Sequence, residues 1–349
     1  MKLLIDIGHP AHFHLFKNLI IYLKENRHKI IVTSRNKDVT NSLLEHYGIE
    51  FICISEPRKN IFGMIFELIQ RGINIIQLHI KNNFDASIGS TMSIAHLSAI
   101  FDVPSYNFGE DDDDVVPLSS FITFPFSTKI INPESIRCKR WKEKRVFYPS
   151  YHELAYLHPN NFTPDENVLK KYKLYKKKYV IARFSALNAY HDMKAKGISN
   201  GLWKRLEILF NNYEIVMSIE NEKSHMIDPW DMHHLLAFSK MIISDSQTMT
   251  IEGSVLGISS IRINTFIGKL TVIDELEKKY KLAVGFFPHE EDKILNVVNA
   301  ILVNPQTDKI WAERRSKLLA DKIDFNNWMI EFFDNQISEN NKNCNSPTF

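Results

Sequence analysis

Short, continuous runs of β-branched and aromatic residues at 3–7, 30–33, 51–54, 86–88 and 105–108 alternate with segments in which apolar positions recur every three or four residues. Continuous runs are how strands buried on both faces read, whereas half-buried strands alternate. The segments between them have the spacing of amphipathic helices: Phe13, Phe16, Ile20 and Leu23, then Val39, Leu43 and Leu44, then Met92, Ala95 and Ala99 with Ile94 and Leu97. The pattern predicts a parallel sheet built from strand–helix–strand units. Such crossovers are right-handed and leave the ligand crevice beyond the carboxyl ends of the strands, so the loops after strands are where chemistry is expected.

The pattern breaks over 129–178, where Pro133, Pro149, Pro159 and Pro164 cluster with the basic runs CKRWKEKR and LKKYKLYKKK. This stretch reads as the inter-domain crossover. A second set of strands follows at 179–182, 214–219, 241–243, 260–263 and 282–286, with helices at 202–210, 233–238, 248–256, 272–279 and 293–302. Residues 311–333 read as one amphipathic helix, broken near Asp324, and the polar segment after it as a frayed terminus. The expected class is therefore α/β with two Rossmann-like, doubly wound domains, 1–165 and 166–335, and a polar tail at 336–349. No internal sequence repeat relates the halves.

Composition narrows the classes. The 349 residues suit two domains, and 44% hydrophobic with 24% charged residues is ordinary for a globular chain. Lys and Arg number 43 against 41 Asp and Glu, a formal charge of +2, which gives no broad cationic field for nucleic acid. Cys53, Cys138 and Cys344 are far apart, so neither a disulfide framework nor a thiolate zinc site is expected and a reducing, cytoplasmic setting fits. The apolar start of MKLLIDIGHP is too short for a signal-peptide core. The greasiest window, 61–80, carries Glu67, Arg71 and His79 and does not read as a membrane span. Ile61, Phe62, Met64, Ile65, Phe66 and Ile69, with the basic stretch 139–145, would instead let the first domain rest on the inner leaflet as a peripheral contact; a helix buried against the sheet is the competing reading.

The loop after the first strand, IGHPAHFHLFKNL, opens a helix whose free N–H groups suit an anionic or sugar-like group, and Gly8 permits the tight turn. His9 and His12 are candidates there, His9 as the general base on an acceptor hydroxyl and His12 as a substrate contact. The alternative is that they cap or pack the helix. His-x-x-His-x-His has no carboxylate or thiol nearby to complete a zinc set, and no metal ligands are assigned. After the fourth strand Ser90 and Thr91 offer hydroxyls to substrate; after the fifth, FGEDDDD offers Glu110 and Asp111 as acid or base, because crowded carboxylates rise in pKa. Asp112 to Asp114 otherwise read as a solvated loop. In the second half Arg183 can grip a diphosphate by its planar fork, Ser185 lies beside it, and Asn188 and His191 follow as substrate contacts. Further on, Ser246, Gln247 and Thr248 open a helix where phosphate oxygens would bind, and Glu252 lies one turn in, where a ribose diol would sit.

The segments DIGHPAHFHLFKNL, RFSALNAYHDMKAKGIS and SDSQTMTIEGSVLGISSIRINTF together resemble a domain-of-unknown-function family of GT-B-fold proteins from surface-polysaccharide gene neighbourhoods, over nearly the whole chain. More distantly, the Ser-Asp-Ser-Gln-Thr turn with Glu252 is similar to the Asp-Ser-Gly-Gly and downstream Glu motif of non-hydrolysing UDP-N-acetylglucosamine 2-epimerases; Gln247 and Thr248 stand where that motif has glycines. The resemblance implies two facing Rossmann-like domains, with a nucleotide diphosphate sugar, UDP-linked, as substrate on the C-terminal one and a glycan or lipid-linked acceptor on the N-terminal one. It also implies no cofactor and no essential metal. Metal-independent glycosyl transfer is the leading expectation, a sugar-nucleotide 2-epimerase the alternative, and a non-catalytic nucleotide-sugar-binding protein the third.

Overall fold

The computed structural model describes residues 1–58, 60–184, 198–219 and 227–344. The chain forms two compact units, Met1–Tyr156 with Ile323–Phe349 and Leu157–Lys322. In the first, β1 (Lys2–Ile7), α1 (Pro10–Glu25), β2 (Lys29–Arg35), α2 (Thr40–His46), β3 (Ile52–Ser55), α3 (Ile61–Asn82), β4 (Ala86–Gly89), α4 (Met92–Phe101) and β5 (Ser105–Phe108) follow the predicted alternation. They continue into α5 (Pro117–Ile122), β6 (Lys129–Pro133), β7 (Arg145–Tyr148) and the single turn α6 (Leu154–Leu157). The strands make one parallel sheet in the order β3-β2-β1-β4-β5-β6-β7. The third strand in this order, β1, pairs with β2 and β4 on either side, Ile5 opposite Val32 and Ile88, so the strand order reverses there. Right-handed crossovers then place α1 and α2 on one face and α3 and α4 on the other.

Burial explains why these residues take these forms. Leu3, Leu4, Ile5 and Ile7 are covered from both sides, and α1 buries Phe13, Phe16, Leu19, Ile20 and Leu23 at helical spacing, each worth about 1.5 to 3 kcal/mol of hydrophobic transfer. Beneath α3 and α4, Leu4, Ile54, Ile75, Phe84, Leu97 and Val103 pack as one cluster.

The second unit holds α7 (Asn167–Lys171), β8 (Tyr179–Phe184), α8 (Asn200–Leu209), β9 (Glu214–Ile219), α9 (Met232–Phe238), β10 (Met241–Ser244), α10 (Gln247–Val255), β11 (Ser259–Ile263), α11 (Thr271–Lys278), β12 (Ala283–Phe286), α12 (Glu291–Val303) and α13 (Thr307–Asp321). Its parallel sheet runs β12-β11-β10-β8-β9, with the order reversing between β8 and β10. The α/β class and the two doubly wound sheets are as expected.

Three features differ from the sequence reading. Residues 129–148, taken as part of the crossover, supply β6 and β7; four- and five-residue strands bounded by Pro133, Pro149 and a basic loop carry too little apolar signal to stand out. The first unit ends at Tyr156 and not at 165. Finally α14 (Phe325–Cys344), assigned in part to the second domain and in part to a polar tail, is a continuous helix packed on the first unit. Its buried Phe325, Met329 and Phe333 are the reason. Phe325 stacks on Tyr148 with ring centroids 3.8 Å apart, and Phe333 meets Tyr106 at 5.2 Å. Ser150 Oγ donates to the Ile323 carbonyl at 2.7 Å and fixes the start of this return.

Candidate functional site

In the first unit the candidate residues gather at the switch point, on the loops after β1, β4 and β5. Gly8 is required by close approach: a Cβ there would lie 2.7 Å from Thr91 Cγ2, so the β1 and β4 loops touch only because the side chain is missing. His9 is the N-cap of α1, its Nδ1 accepting from the Ala11 N–H at 3.2 Å, with Pro10 in the first turn where a missing N–H costs nothing. His12 Nδ1 accepts from the Gly8 N–H at 3.3 Å. Burial pushes both imidazoles down to about 3, helped at His9 by His12 and Lys37 and at His12 by His152. Each is therefore neutral at pH 7, and a neutral imidazole that accepts at Nδ1 carries its proton on Nε2. The nitrogen left for a ligand is a donor. His9, the first-ranked base of the sequence analysis, is by this geometry a hydrogen-bond donor that also caps α1, while His12 holds the Gly8 N–H.

Below them lies a buried polar hub that the sequence reading did not single out. Asp6 is fully buried and accepts from Thr33 Oγ1 at 2.7 Å, from Arg71 Nη2 at 2.6 Å and from the Thr91 hydroxyl. The Arg71 charge and these hydrogen bonds hold its carboxyl below the ordinary value against the opposing desolvation. Arg71 Nη1 also donates to Ser55 Oγ at 2.9 Å, which in turn donates to Glu67 at 3.1 Å, and Arg35 grips Glu67 with two bonds of 2.6 and 2.8 Å. The hub ties α3 to β1, β2, β3 and the β4 loop. Thr91, expected to offer its hydroxyl to substrate, spends it on Asp6, whereas Ser90 Oγ is buried with no partner among the described residues. The available signal was a carboxylate inside an otherwise apolar strand, LLIDI, and a Glu–Arg pair four apart in an apolar helix.

The acidic run divides by role. Asp112 and Asp113 are buried, not solvated: Asp112 accepts from the Arg137 N–H at 2.6 Å, and Asp113 from Arg145 at 2.6 Å and the Lys139 N–H at 2.9 Å. They fasten the basic loop before β7. Asp114 is exposed beside Lys139. Asp111 is exposed, its carboxyl raised by partial desolvation and by the charge of Asp112. Glu110 is mostly covered, accepts from the His152 N–H at 3.1 Å and hydrogen-bonds Glu153. Burial, with the Asp111 charge, lifts it to about 7. The fully buried Tyr148 and the partly buried His152 complete the wall, with His152 Nδ1 at 3.4 Å from Glu110. A carboxyl poised near neutrality is suited to accept a proton. Glu153 and His152 lie in YPSYHELAY, about 40 residues from Glu110, and nothing in that spacing announces the meeting.

In the second unit the loops after β8 and β10 flank the switch point. Ser246 caps α10, its Oγ accepting from the Met249 N–H at 3.4 Å, and the Ser246 N–H donates to Ser244 Oγ at 2.9 Å. The Gln247 and Thr248 N–H groups have no acceptor inside the helix, as in any first turn, and both residues are half-buried. The helix lies close on the sheet because Gly253 has no Cβ, which would stand 2.6 Å from Ser260 Oγ and 2.8 Å from Ile242 Cγ2. Arg183, at the end of β8, is half-buried and donates to Ser218 Oγ at 2.9 Å. Glu252 is buried and pairs with His233 Nε2 at 3.0 Å, an arrangement the sequence reading, which gave it to a ribose, did not foresee. Ser185, Asn188 and His191 lie outside the described residues.

A family model described as "Protein of unknown function (DUF354)" matches residues 1–327. Among curated proteins none matches. Solved structures do. The Methanocaldococcus jannaschii UDP-GlcNAc 2-epimerase in complex with UDP-GlcNAc and UDP is 14% identical, covers 88% of this chain and 94% of its own, and has a TM-score of 0.62. S. aureus MnaA, solved with UDP, is 12% identical over 96% of this chain and 97% of its own, with a TM-score of 0.68. The spinosyn forosaminyltransferase SpnP is 12% identical over 97% and 99%, with a TM-score of 0.64. These likenesses establish the fold shared by glycosyltransferases and 2-epimerases.

Proposed function

We propose that this chain, which belongs to the family of that model, is a glycosyltransferase that moves a sugar from a nucleotide diphosphate, UDP-linked, to a glycan or lipid-linked acceptor in surface polysaccharide synthesis. The observation that carries the reading is Glu110, a carboxyl held near neutrality at the carboxyl end of β5, one strand beyond the switch point of the first sheet. As the acceptor oxygen bonds to the anomeric carbon, Glu110 takes the hydroxyl proton and the bond to the diphosphate breaks. His9 and His12 Nε2–H groups, with Ser90, hold sugar hydroxyls, and Asp111 is the reserve base. In the second unit the Gln247 and Thr248 N–H groups, the Ser246 cap and Arg183 are the groups whose chemistry suits a diphosphate. Glu252, paired with His233, reaches the ribose only by exchanging that partner. No step calls on a metal or cofactor.

One observation favours a second reading, the 2-epimerase. Glu110 and Glu153 hydrogen-bond one another, so one of the two is protonated, and the pair offers one group that can take the C2 proton and another that can supply one; epimerisation requires that supply to reach the opposite face of the sugar. Incubation with UDP-sugars in deuterated water decides. Transfer predicts UDP release only with acceptor and no deuterium in the recovered donor; epimerisation predicts deuterium at C2 without acceptor. Donor bound but unaltered across a broad acceptor panel would leave only the binding-protein reading.

A further inference from the structure

Helix α3 is turned the wrong way round for a core helix. Its buried positions are Glu67, Arg71, Ile75 and His79, three of them polar and the first two locked into the Asp6 hub. Its outward positions are Ile61, Phe62, Met64, Ile65, Phe66, Ile69, Ile73 and Ile80, with Phe62 85% exposed and Ile61 73%. No charged side chain is exposed between Ile61 and Ile80. By length and composition the helix could cross a membrane. The ion pairs Arg71–Asp6 and Glu67–Arg35, both 2.6 Å, instead hold it flat against the sheet with its apolar side outward.

The apolar surface extends beyond α3. His79 meets Phe101 of α4 at 4.7 Å, and His96 of α4 meets Phe126 at 6.1 Å; Ile100, Phe101, Phe121 and Phe126 are all exposed. Cations border it. Arg58 lies over the Phe66 ring at 4.5 Å, Arg140 over the Phe121 ring at 4.0 Å, Lys144 donates to the Pro125 carbonyl at 2.5 Å, and Lys81 and Lys142 are exposed. Exposed carboxylates nearby are Glu56, Asp85, Asp102 and Glu143. An apolar face of exposed Ile and Phe, with Arg58 and Arg140 set directly on its exposed aromatic rings, complements an anionic bilayer surface, where headgroups neutralise those cations and acyl chains take up the side chains. A second copy docking on this face would bring the same cations against one another.

We propose that the first unit binds anionic membranes peripherally, with α3 lying in the interface and Phe62, Ile65, Phe66 and Ile69 entering the acyl boundary. The start of α3 follows β3 at the carboxyl edge of the sheet, the edge that carries His9 and Glu110. Resting on the proposed function, this orientation selects lipid-linked over free acceptors.

The experiment is flotation of the full chain with phosphatidylcholine vesicles, with and without phosphatidylglycerol, at low and high salt, alongside light scattering. Wild type is expected to float with the anionic vesicles, more weakly at high salt, and an Ile65→Asp/Ile69→Asp variant with unchanged circular dichroism to lose at least about tenfold in partitioning. Absence from the anionic vesicles at both salts overturns the proposal. So does a stable dimer that the same variant dissociates, since the face is then covered by a second copy. Neither result depends on catalysis, so the proposed activity stands or falls separately.

Discussion

Glu110 and the two histidines show how neighbours, not residue type, set a role. Histidine in a crevice suggests a base, yet backbone N–H groups occupy Nδ1 of both His9 and His12 and leave each a donor. Glu110, an ordinary acid by composition, is carried by burial from 4.5 to about 7. A base works in its deprotonated form, so turnover should rise as pH passes upward through about 7 and then level off. Glu110→Gln should lower turnover by about 10²- to 10⁴-fold with donor binding unchanged, and flatten that limb. Because the folded pKa lies above the unfolded value, the stabilising contribution of Glu110 is present below pH 4.5 and lost as pH rises through about 7. The Gln variant, which keeps an acceptor for the His152 N–H, should thus melt no lower than wild type above pH 7. Near-wild-type turnover in that variant would move the base to Asp111; a lower melting temperature would mean the residue is structural.

At the scale of elements, the proposed diphosphate site depends on how tightly α10 rests on its sheet. The gap at Gly253 admits no Cβ, since Ser260 and Ile242 approach to 2.6 and 2.8 Å. Gly253→Ala must lift the helix or push β10 aside, at a cost of about 1 to 3 kcal/mol. The Ser246 cap and the free N–H groups would shift with it. We expect weaker binding of UDP by calorimetry together with a lower denaturation midpoint. Loss of stability with UDP affinity unchanged would place the diphosphate elsewhere than at this helix start. The helix was legible in the sequence, from Ser246 before a periodic segment and from strand runs on both sides; the buried Glu252–His233 pair was not, because helices α9 and α10 meet only through the fold.

On the scale of the whole molecule, the first unit is closed by residues from the far end of the chain. Phe325 is fully buried, stacked on Tyr148 and near Phe108. Phe325→Ala should remove about 3 to 5 kcal/mol from the first unit. Calorimetry should then show that unit melting earlier while the transition of Leu157–Lys322 holds its place; a single unshifted transition would mean α14 is dispensable. Alternation of strand and helix, the parallel sheets and the loops that follow their strands were all determined by the sequence, because each is a local pattern of burial: Leu3 to Ile7 must be covered on both sides wherever they sit. The tertiary structure alone decided that β6 and β7 join the first sheet, that α14 returns to it, that Glu153 meets Glu110, and that α3 turns its charges inward. Those outcomes depend on partners distant in sequence. Glu67 and Arg71 read as solvent-seeking until Arg35 and Asp6 are placed opposite them, and only that pairing leaves the apolar side of α3 facing out.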